Sequence, residues 1–379
     1  MLELPPLSLY VHIPWCIRKC PYCDFNSHES SGDLPQREYV AALCADLDSE
    51  LERVQGRKLQ SIFIGGGTPS LFDAQSYEMI LAHVEQRIGF NENCEITLEA
   101  NPGTVEAQRF KDFHRAGINR LSLGIQSFSD TQLQRLGRIH DGDQARKAIE
   151  IAVSAGFDNF NLDLMHGLPE QSIENALSDL NTALSYSPRH LSWYQLTIEP
   201  NTVFYRRPPP LPADELIGEM QAAGQELLAA QGLRQYEVSA YALSNAESAH
   251  NLNYWQFGDY IGIGAGAHGK LSSPEENAIF RTRKKKQPDH YLKSTAQRTS
   301  EQSAIVQDEL PLEFLLNALR LRDGFNKAQF ESRTGLAFST IGKRVEYLQS
   351  KALLDVDADQ IRASERGYLL LNSVLEEFL

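Results

Sequence analysis

Six short runs of alternating polarity, separated by helical windows, constrain the fold of this chain more than any other feature. Strand-like runs fall near 7–13, 60–64, 95–100, 119–126, 158–164 and 190–198. Between them Gln36 to Gln55, Ala74 to Ile88, Val105 to Ala116, Asp143 to Ala155 and Ser172 to Ser185 carry apolar residues at helical spacing. Such alternation predicts a parallel sheet with right-handed crossovers. Successive strand residues point to opposite faces, so Ser8, Tyr10 and His12 oppose Leu7, Leu9, Val11 and Ile13. Glu95, Thr97, Glu99 and Asn101 likewise share one face, as do Ser122, Gly124 and Gln126, and Asn159, Asn161 and Asp163. A closed eight-stranded barrel fills its interior with branched apolar side chains, and a doubly wound sheet is covered on both faces and reads apolar on both. A sheet polar on one face points away from both. The prediction is an α/β fold with a partial (β/α)6 barrel of the TIM type, its concave side shaped for a polar ligand.

Directly after the first run comes Cys16-Ile-Arg-Lys-Cys20-Pro-Tyr-Cys23. Three clustered thiolates without a fourth suit an iron–sulfur cube with one open iron, whereas ferredoxin spacing and structural zinc each require a fourth ligand. A partial zinc site or chance cysteines are the alternatives. Cys44 and Cys94 sit among apolar residues at helical and strand spacing and read as packing residues. Five cysteines, three of them clustered, indicate metal ligation in a reducing compartment rather than disulfides. The formal charge of −14 argues against a general nucleic-acid or anionic-membrane binder. With no signal-peptide pattern and no run of 18 apolar residues, a soluble, cytoplasmic protein is expected.

The other residues of interest cluster at the C-terminal ends of the runs, where parallel barrels build their sites. Gly65-Gly66-Gly67-Thr68 ends the second, Glu99 the third, Gln126 the fourth, Asp163 the fifth and Thr197 the sixth. Glycines there would let a ligand reach the backbone. Gly264-Ala-Gly-Ala-His-Gly269 matches a dinucleotide fingerprint, but it lies late in the chain and no helix pattern follows, so a tight glycine-lined wall is the better reading. Three regions are expected: 1–240 as the barrel, 241–300 as a Gly- and aromatic-rich segment ending in a polar linker near 295–308, and 301–379 as a winged-helix-like α+β domain. Residues 309–379 carry 9 Lys and Arg against 11 Asp and Glu, so the footprint for phosphate backbones is missing.

C-x3-C-x2-C with an aromatic, Tyr22, before its last Cys resembles the signature of radical S-adenosylmethionine (SAM) enzymes. More narrowly, Tyr10-Val-His-Ile-Pro-Trp-Cys16, Gly65-Gly-Gly-Thr-Pro-Ser70, Glu99-Ala-Asn-Pro-Gly103, Asn161-Leu-Asp-Leu-Met-His-Gly-Leu-Pro169 and His250-Asn-Leu-Asn-Tyr-Trp255 resemble the HemW family of haem chaperones. That family is related to the oxygen-independent coproporphyrinogen III dehydrogenases. The resemblance implies a [4Fe–4S] cluster on Cys16, Cys20 and Cys23, its open iron chelated by SAM. It implies SAM contacts at Tyr10, Gly66, Gly67, Thr68, Glu99, Gln126, Arg138, Asp163 and Thr197, with Arg138 suited to grip a carboxylate by two prongs. It further implies haem binding near His250, beside the flat rings of Tyr254 and Trp255, and delivery of haem to haem-accepting apoproteins of the respiratory chain. It admits a cluster-dependent homodimer and no more than transient membrane association. Arg281-Thr-Arg-Lys-Lys-Lys286 reads as a solvated basic loop, or as a partner for haem propionates. Relatives that oxidise coproporphyrinogen carry a further Cys two residues after the third ligand, where this chain has Phe25. That departure argues against the oxidase, which stands as the alternative function.

Overall fold

The structure is a computed structural model and describes residues 1–30, 32–104 and 107–379. Val105 and Glu106, the start of the third helical window, lie outside them. The six expected runs are all strands: β1 (Leu7–Ile13), β2 (Leu59–Gly66), β3 (Phe90–Ala100), β4 (Arg120–Gln126), β5 (Phe160–His166) and β6 (His190–Gln195). They pair in parallel in that order. Helices α1 (Gln36–Asp48), α2 (Ala74–Arg87), α3 (Ala107–Arg115), α4 (Gly142–Ser154) and α5 (Ile173–Leu184) follow the first five strands in the sequence. Leu9, Val11, Ile64, Leu98, Leu123, Leu162 and Leu191 bury the apolar face in the same core as Leu43, Ile80, Phe113, Ile149 and Leu180 from those helices. The helix starts are locally encoded: α4 and α5 each begin with a reciprocal cap, Asp141 with Gln144 and Ser172 with Asn175.

Beyond β6 the chain departs from the expectation. After α6 (Asp214–Ala230), β7 (Arg234–Glu237) and β8 (Ala240–Ala242) add an antiparallel margin beside β6. Residues 241–300 are not an appended segment. A short helix, α7 (Ala249–Trp255), leads to β9 (Asp259–Ile263), which pairs in parallel with β1 on the side away from β2. β10 (His268–Ser273), β11 (Ala278–Lys284) and β12 (Thr299–Ala304) continue antiparallel. Among the described residues the sheet therefore has twelve strands, in the order β12-β11-β10-β9-β1-β2-β3-β4-β5-β6-β8-β7. The expected linker is β12, an edge strand whose residues are mostly exposed, so its polar composition reflects solvent on both faces rather than absence of pairing.

The C-terminal unit matches the winged-helix-like order: α8 (Leu310–Ala318), β13 (Phe325–Asn326), α9 (Lys327–Thr334), α10 (Ser339–Ser350), β14 (Leu354–Asp357) and β15 (Gln360–Ala363). Its apolar core also takes in Leu2, Phe257 and Ile279, which fastens it to the sheet. Among the described residues no helix is long and apolar enough to cross a membrane.

Candidate functional site

The polar face forms a trough, and α7 closes its lower half. Glu95 on β3 accepts bonds from Ser248 Oγ and from the backbone N–H groups of Ala249 and His250, which ties the start of α7 to the sheet. Ser8 and Ser61 share a hydroxyl bond of 2.7 Å, and Ser61 Oγ in turn lies 3.0 Å from His250 Nδ1. His250 also stacks on Phe63 at 5.0 Å, and burial pushes its pKa down to about 3. The sequence reading made His250 a haem ligand, and the structure sets it beneath the cavities with its Nε2 unpartnered among the described residues. His250 is 3 % exposed and pins α7 to the floor, while Asn251 and Trp255 of the same helix reach the cavity wall.

Above α7 the trough opens into a cavity of about 710 Å³ at the C-terminal strand ends. Cys16, Cys20, Tyr22, Cys23, Gly66, Gly67, Thr68, Glu99, Gln126, Arg138, Asp163 and Thr197 all line it. Twelve positions proposed from sequence thus meet on one surface. Tyr10 lies apart, on the wall of a second cavity of about 610 Å³ that shares Gly66 and Glu99 with the first.

The cysteine loop is already folded. Trp15–Cys16 and His28–Glu29 form a short parallel ladder, Cys23 N–H bonds Cys20 C=O at 3.1 Å, and Lys19 Nζ donates to Phe25 C=O at 2.9 Å. The loop sits on the end of β2 through Gly67 N–H to Ile13 C=O at 2.8 Å and Thr68 N–H to Trp15 C=O at 2.7 Å. Here the glycines act differently from the expectation. A Cβ on Gly66, whose φ is +121°, would lie 2.7 Å from the His12 ring, and one on Gly67 would lie 2.5 Å from Trp15 O. They admit the cysteine loop to the strand end while still lining the cavity, and the Gly66 N–H is taken by Glu99 Oε2 at 3.1 Å.

Arg138 also departs from the two-pronged expectation. Its Nη2 donates to Asn101 Oδ1 at 2.6 Å and Gly124 C=O at 2.8 Å, while Nη1 points at Cys20 Sγ, 3.3 Å away. The guanidinium braces the second cysteine against β4 instead of offering a fork to solvent. Two half-buried carboxyls lie near enough to feel each other's charge. Burial and then the neighbouring Asp163 raise the Glu99 pKa to about 8, against the opposing Gly66 N–H. Burial raises Asp163 too, opposed by bonds from Asn161, Ser122 and Ser192. Gln126 accepts from Tyr194 Oη at 2.7 Å and holds φ of +69°, an uncommon backbone for a non-glycine residue. Asn101, Ser122, Ser192 and Tyr194 were missing from the sequence-derived site. Asn101 and Ser122 already stood on the polar face read from sequence without being assigned to the site, and the same period-2 reading carried into β6 would have found Ser192 and Tyr194.

Residues 10–182 match the model of the radical SAM superfamily, and residues 305–370 match that of the HemN C-terminal domain. The chain is 50 % identical to the heme chaperone HemW of Haemophilus influenzae, across 100 % of this chain and 99 % of that one. The chain belongs to the HemW family. It is also 49 % identical to heme chaperone HemW of Escherichia coli over the full length of both. Its fold matches that of the Escherichia coli coproporphyrinogen III oxidase HemN, a radical SAM enzyme, at a TM-score of 0.82 and 22 % identity, over 99 % of this chain and 90 % of that one.

HemW membership in the radical SAM superfamily implies a [4Fe–4S] cluster and SAM. The donor set fits. Three thiols line one cavity on a loop held by backbone bonds, and burial keeps Cys16 and Cys23 protonated above the usual thiol range until a metal displaces the proton. Among the described residues no three His, Cys, Asp or Glu side chains gather as around a single ion. A cube gives each thiolate its own iron and so sets them further apart.

Proposed function

We propose that this chain binds haem and delivers it to haem-dependent apoproteins of the respiratory chain. The reading adds a SAM-binding [4Fe–4S] cluster held by Cys16, Cys20 and Cys23. The observation that carries it is the full-length relation, at 50 % identity, to a protein named as a heme chaperone. When bound, the cluster would offer an open iron to the amino and carboxylate groups of SAM and an electron for its reductive cleavage. Around it Arg138 holds Cys20, and Glu99 and Asp163, which line the same cavity, would hold SAM. Gly66 and Gly67 keep the loop seated.

The coproporphyrinogen oxidase shares the fold, but Phe25 stands where the oxidising relatives carry a Cys. Phe25 is 58 % exposed and lines both cavities, so a hydrocarbon face replaces a thiol at the point where the two spaces meet. All five cysteines are free thiols, which supports a reducing, cytoplasmic setting. The reconstituted protein should form a stable haem complex that transfers haem to an apo-haemoprotein. With coproporphyrinogen III, SAM and reductant it should make no protoporphyrinogen. Catalytic conversion of coproporphyrinogen III would overturn the reading.

A further inference from the structure

The second cavity adjoins the first and is lined by the cysteine loop, β1, Tyr254 of α7, Tyr260 of β9 and the turn into β10. Its walls have the chemistry that a flat, dianionic iron porphyrin requires. Tyr254 and Tyr260 present rings 4.2 Å apart and tilted by 31°, and Phe25 adds an exposed ring from the loop. Lys19 and Lys286 stand exposed at its edge. Of the basic run, Lys284 is buried against Asp46 and Glu50, Arg281 pairs with Glu313, Arg283 with Glu301, and Lys285 Nζ donates to Ser294 Oγ, so most of the expected solvated basic loop is a strand with paired cations, and Lys286, just past its end, lines this cavity. At about 610 Å³ the space falls within the usual range of ligand pockets.

Three histidines line this space, and their bonding sorts them. His12 is 5 % exposed with both nitrogens engaged, Nδ1 near Tyr10 Oη and Nε2 near Asn26 C=O, each at 2.9 Å. His28 leaves its Nε2 without a hydrogen-bond partner among the described residues, but that atom is buried and the residue is held within the ladder that shapes the loop. His268 begins β10, is exposed, and makes no side-chain hydrogen bond among the described residues. Partial shielding of the ring from water, then Arg283, Lys286 and Arg281, lower its pKa, so the imidazole is neutral near pH 7 and keeps a lone pair for a metal. Its position is fixed by the backbone: Gly266 N–H bonds Lys285 C=O at 2.9 Å, and Asn26 Nδ2 bonds Ala265 C=O at 3.0 Å. The glycine-rich turn thus carries His268 against the cysteine loop. His250, by contrast, reaches neither cavity.

We propose that haem occupies this second cavity with His268 as the axial ligand of its iron. Tyr254, Tyr260 and Phe25 lie against the porphyrin, and Lys19 and Lys286 pair with its propionates. The assignment rests on the haem-binding reading above and places that function beside, rather than in, the cluster cavity. Asp24, Phe25, Ser27, Gly66 and Glu99 line both spaces, so the two ligands would share one wall.

The test is a haemin titration of the full chain, read from the Soret band and the dissociation constant. Wild type should show an imidazole-ligated band. His268→Ala should shift the band and weaken binding about tenfold or more, with added imidazole restoring the band position and with cluster iron content unchanged. Lys19→Glu together with Lys286→Glu should weaken binding without moving the band, because these charges hold propionates and not iron. If wild type binds no haem, the haem-binding reading and this site fall together. If wild type binds and His268→Ala is identical in band and affinity, only the site falls. A band shift in His250→Ala or His28→Ala with His268→Ala unaltered would likewise overturn it.

Discussion

Gly67→Ala tests whether the glycines at the end of β2 exist to seat the cysteine loop. The added methyl would lie 2.5 Å from the Trp15 carbonyl oxygen, 2.7 Å from its carbon and 3.0 Å from its nitrogen. These are main-chain atoms and cannot swing aside. Gly67 lacks a left-handed φ, so alanine meets crowding and not backbone strain. Restoring ordinary contact at 3.4 Å requires a retreat of about 0.9 Å by the segment that carries Cys16. That movement breaks or stretches the 2.7 Å bond from Thr68 N–H to Trp15 C=O, worth about 1 kcal/mol. Crowding of a packed segment adds about 1–3 kcal/mol, and the stiffer unfolded chain returns about 0.4–1 kcal/mol. The net expectation is a loss of about 2 kcal/mol in urea unfolding of the apoprotein, accompanied by reduced iron and sulfide retention after anaerobic reconstitution. Gly218→Ala is the internal control: it lies within α6 with nothing near its Cβ position and should stabilise by about 0.5–1 kcal/mol. A Gly67→Ala protein as stable as wild type and with a full iron complement would refute the seating argument.

Three further outcomes follow from the same geometry. SAM should bind more tightly as pH rises from 6 towards 8 and level off above it, because Glu99 must first release the proton that its raised pKa of about 8 retains; the limiting slope is about tenfold per pH unit, and Glu99→Gln should flatten the profile measured by equilibrium dialysis. Lys284→Met would leave Asp46 and Glu50 buried without the ammonium that now sits 2.6 Å from each; a loss of about 3–5 kcal/mol is expected in denaturant unfolding, and a change under 1 kcal/mol would show the pair to be dispensable. Changing Cys16, Cys20 or Cys23 singly to Ala should abolish the brown absorbance after reconstitution, and retention of four irons by all three variants would sink the cluster assignment.

The parallel strands were legible because each alternates between one buried apolar row and one polar row, a pattern that Leu9, Val11 and Ile13 against Ser8, Tyr10 and His12 display in seven residues. The strand-end site followed from it, since knowing the face and the end of each strand is enough to gather Glu99, Gln126 and Asp163. What failed to show was β9 to β12. Lys270 and Lys284 are fully buried in that region, each paired with carboxylates that are remote in sequence or lie on another strand: Asp259 for the first, Asp46 and Glu50 for the second. Inward-facing lysines erase the apolar alternation that betrays a strand. The burial of His250 was hidden for a related reason. A histidine beside aromatic residues looks like an exposed ligand until its partner is known, and Ser61 lies 189 residues away in the chain.

The position of β1 also bears on the order in which the molecule can be completed. β1 is flanked by β2, made soon after it, and by β9, which begins at Asp259. On a ribosome elongating at about 5–20 residues per second, one edge of the first strand stays unpaired for on the order of 10–50 s. The loop that follows it is subject to the same delay, because Asn26 is fastened by the carbonyls of Ala265 and Lys286. A nascent chain stalled before that point possesses all three cysteines on a loop free along one flank. Closure of their seat is therefore a late event, possible only once the chain has emerged as far as Lys286.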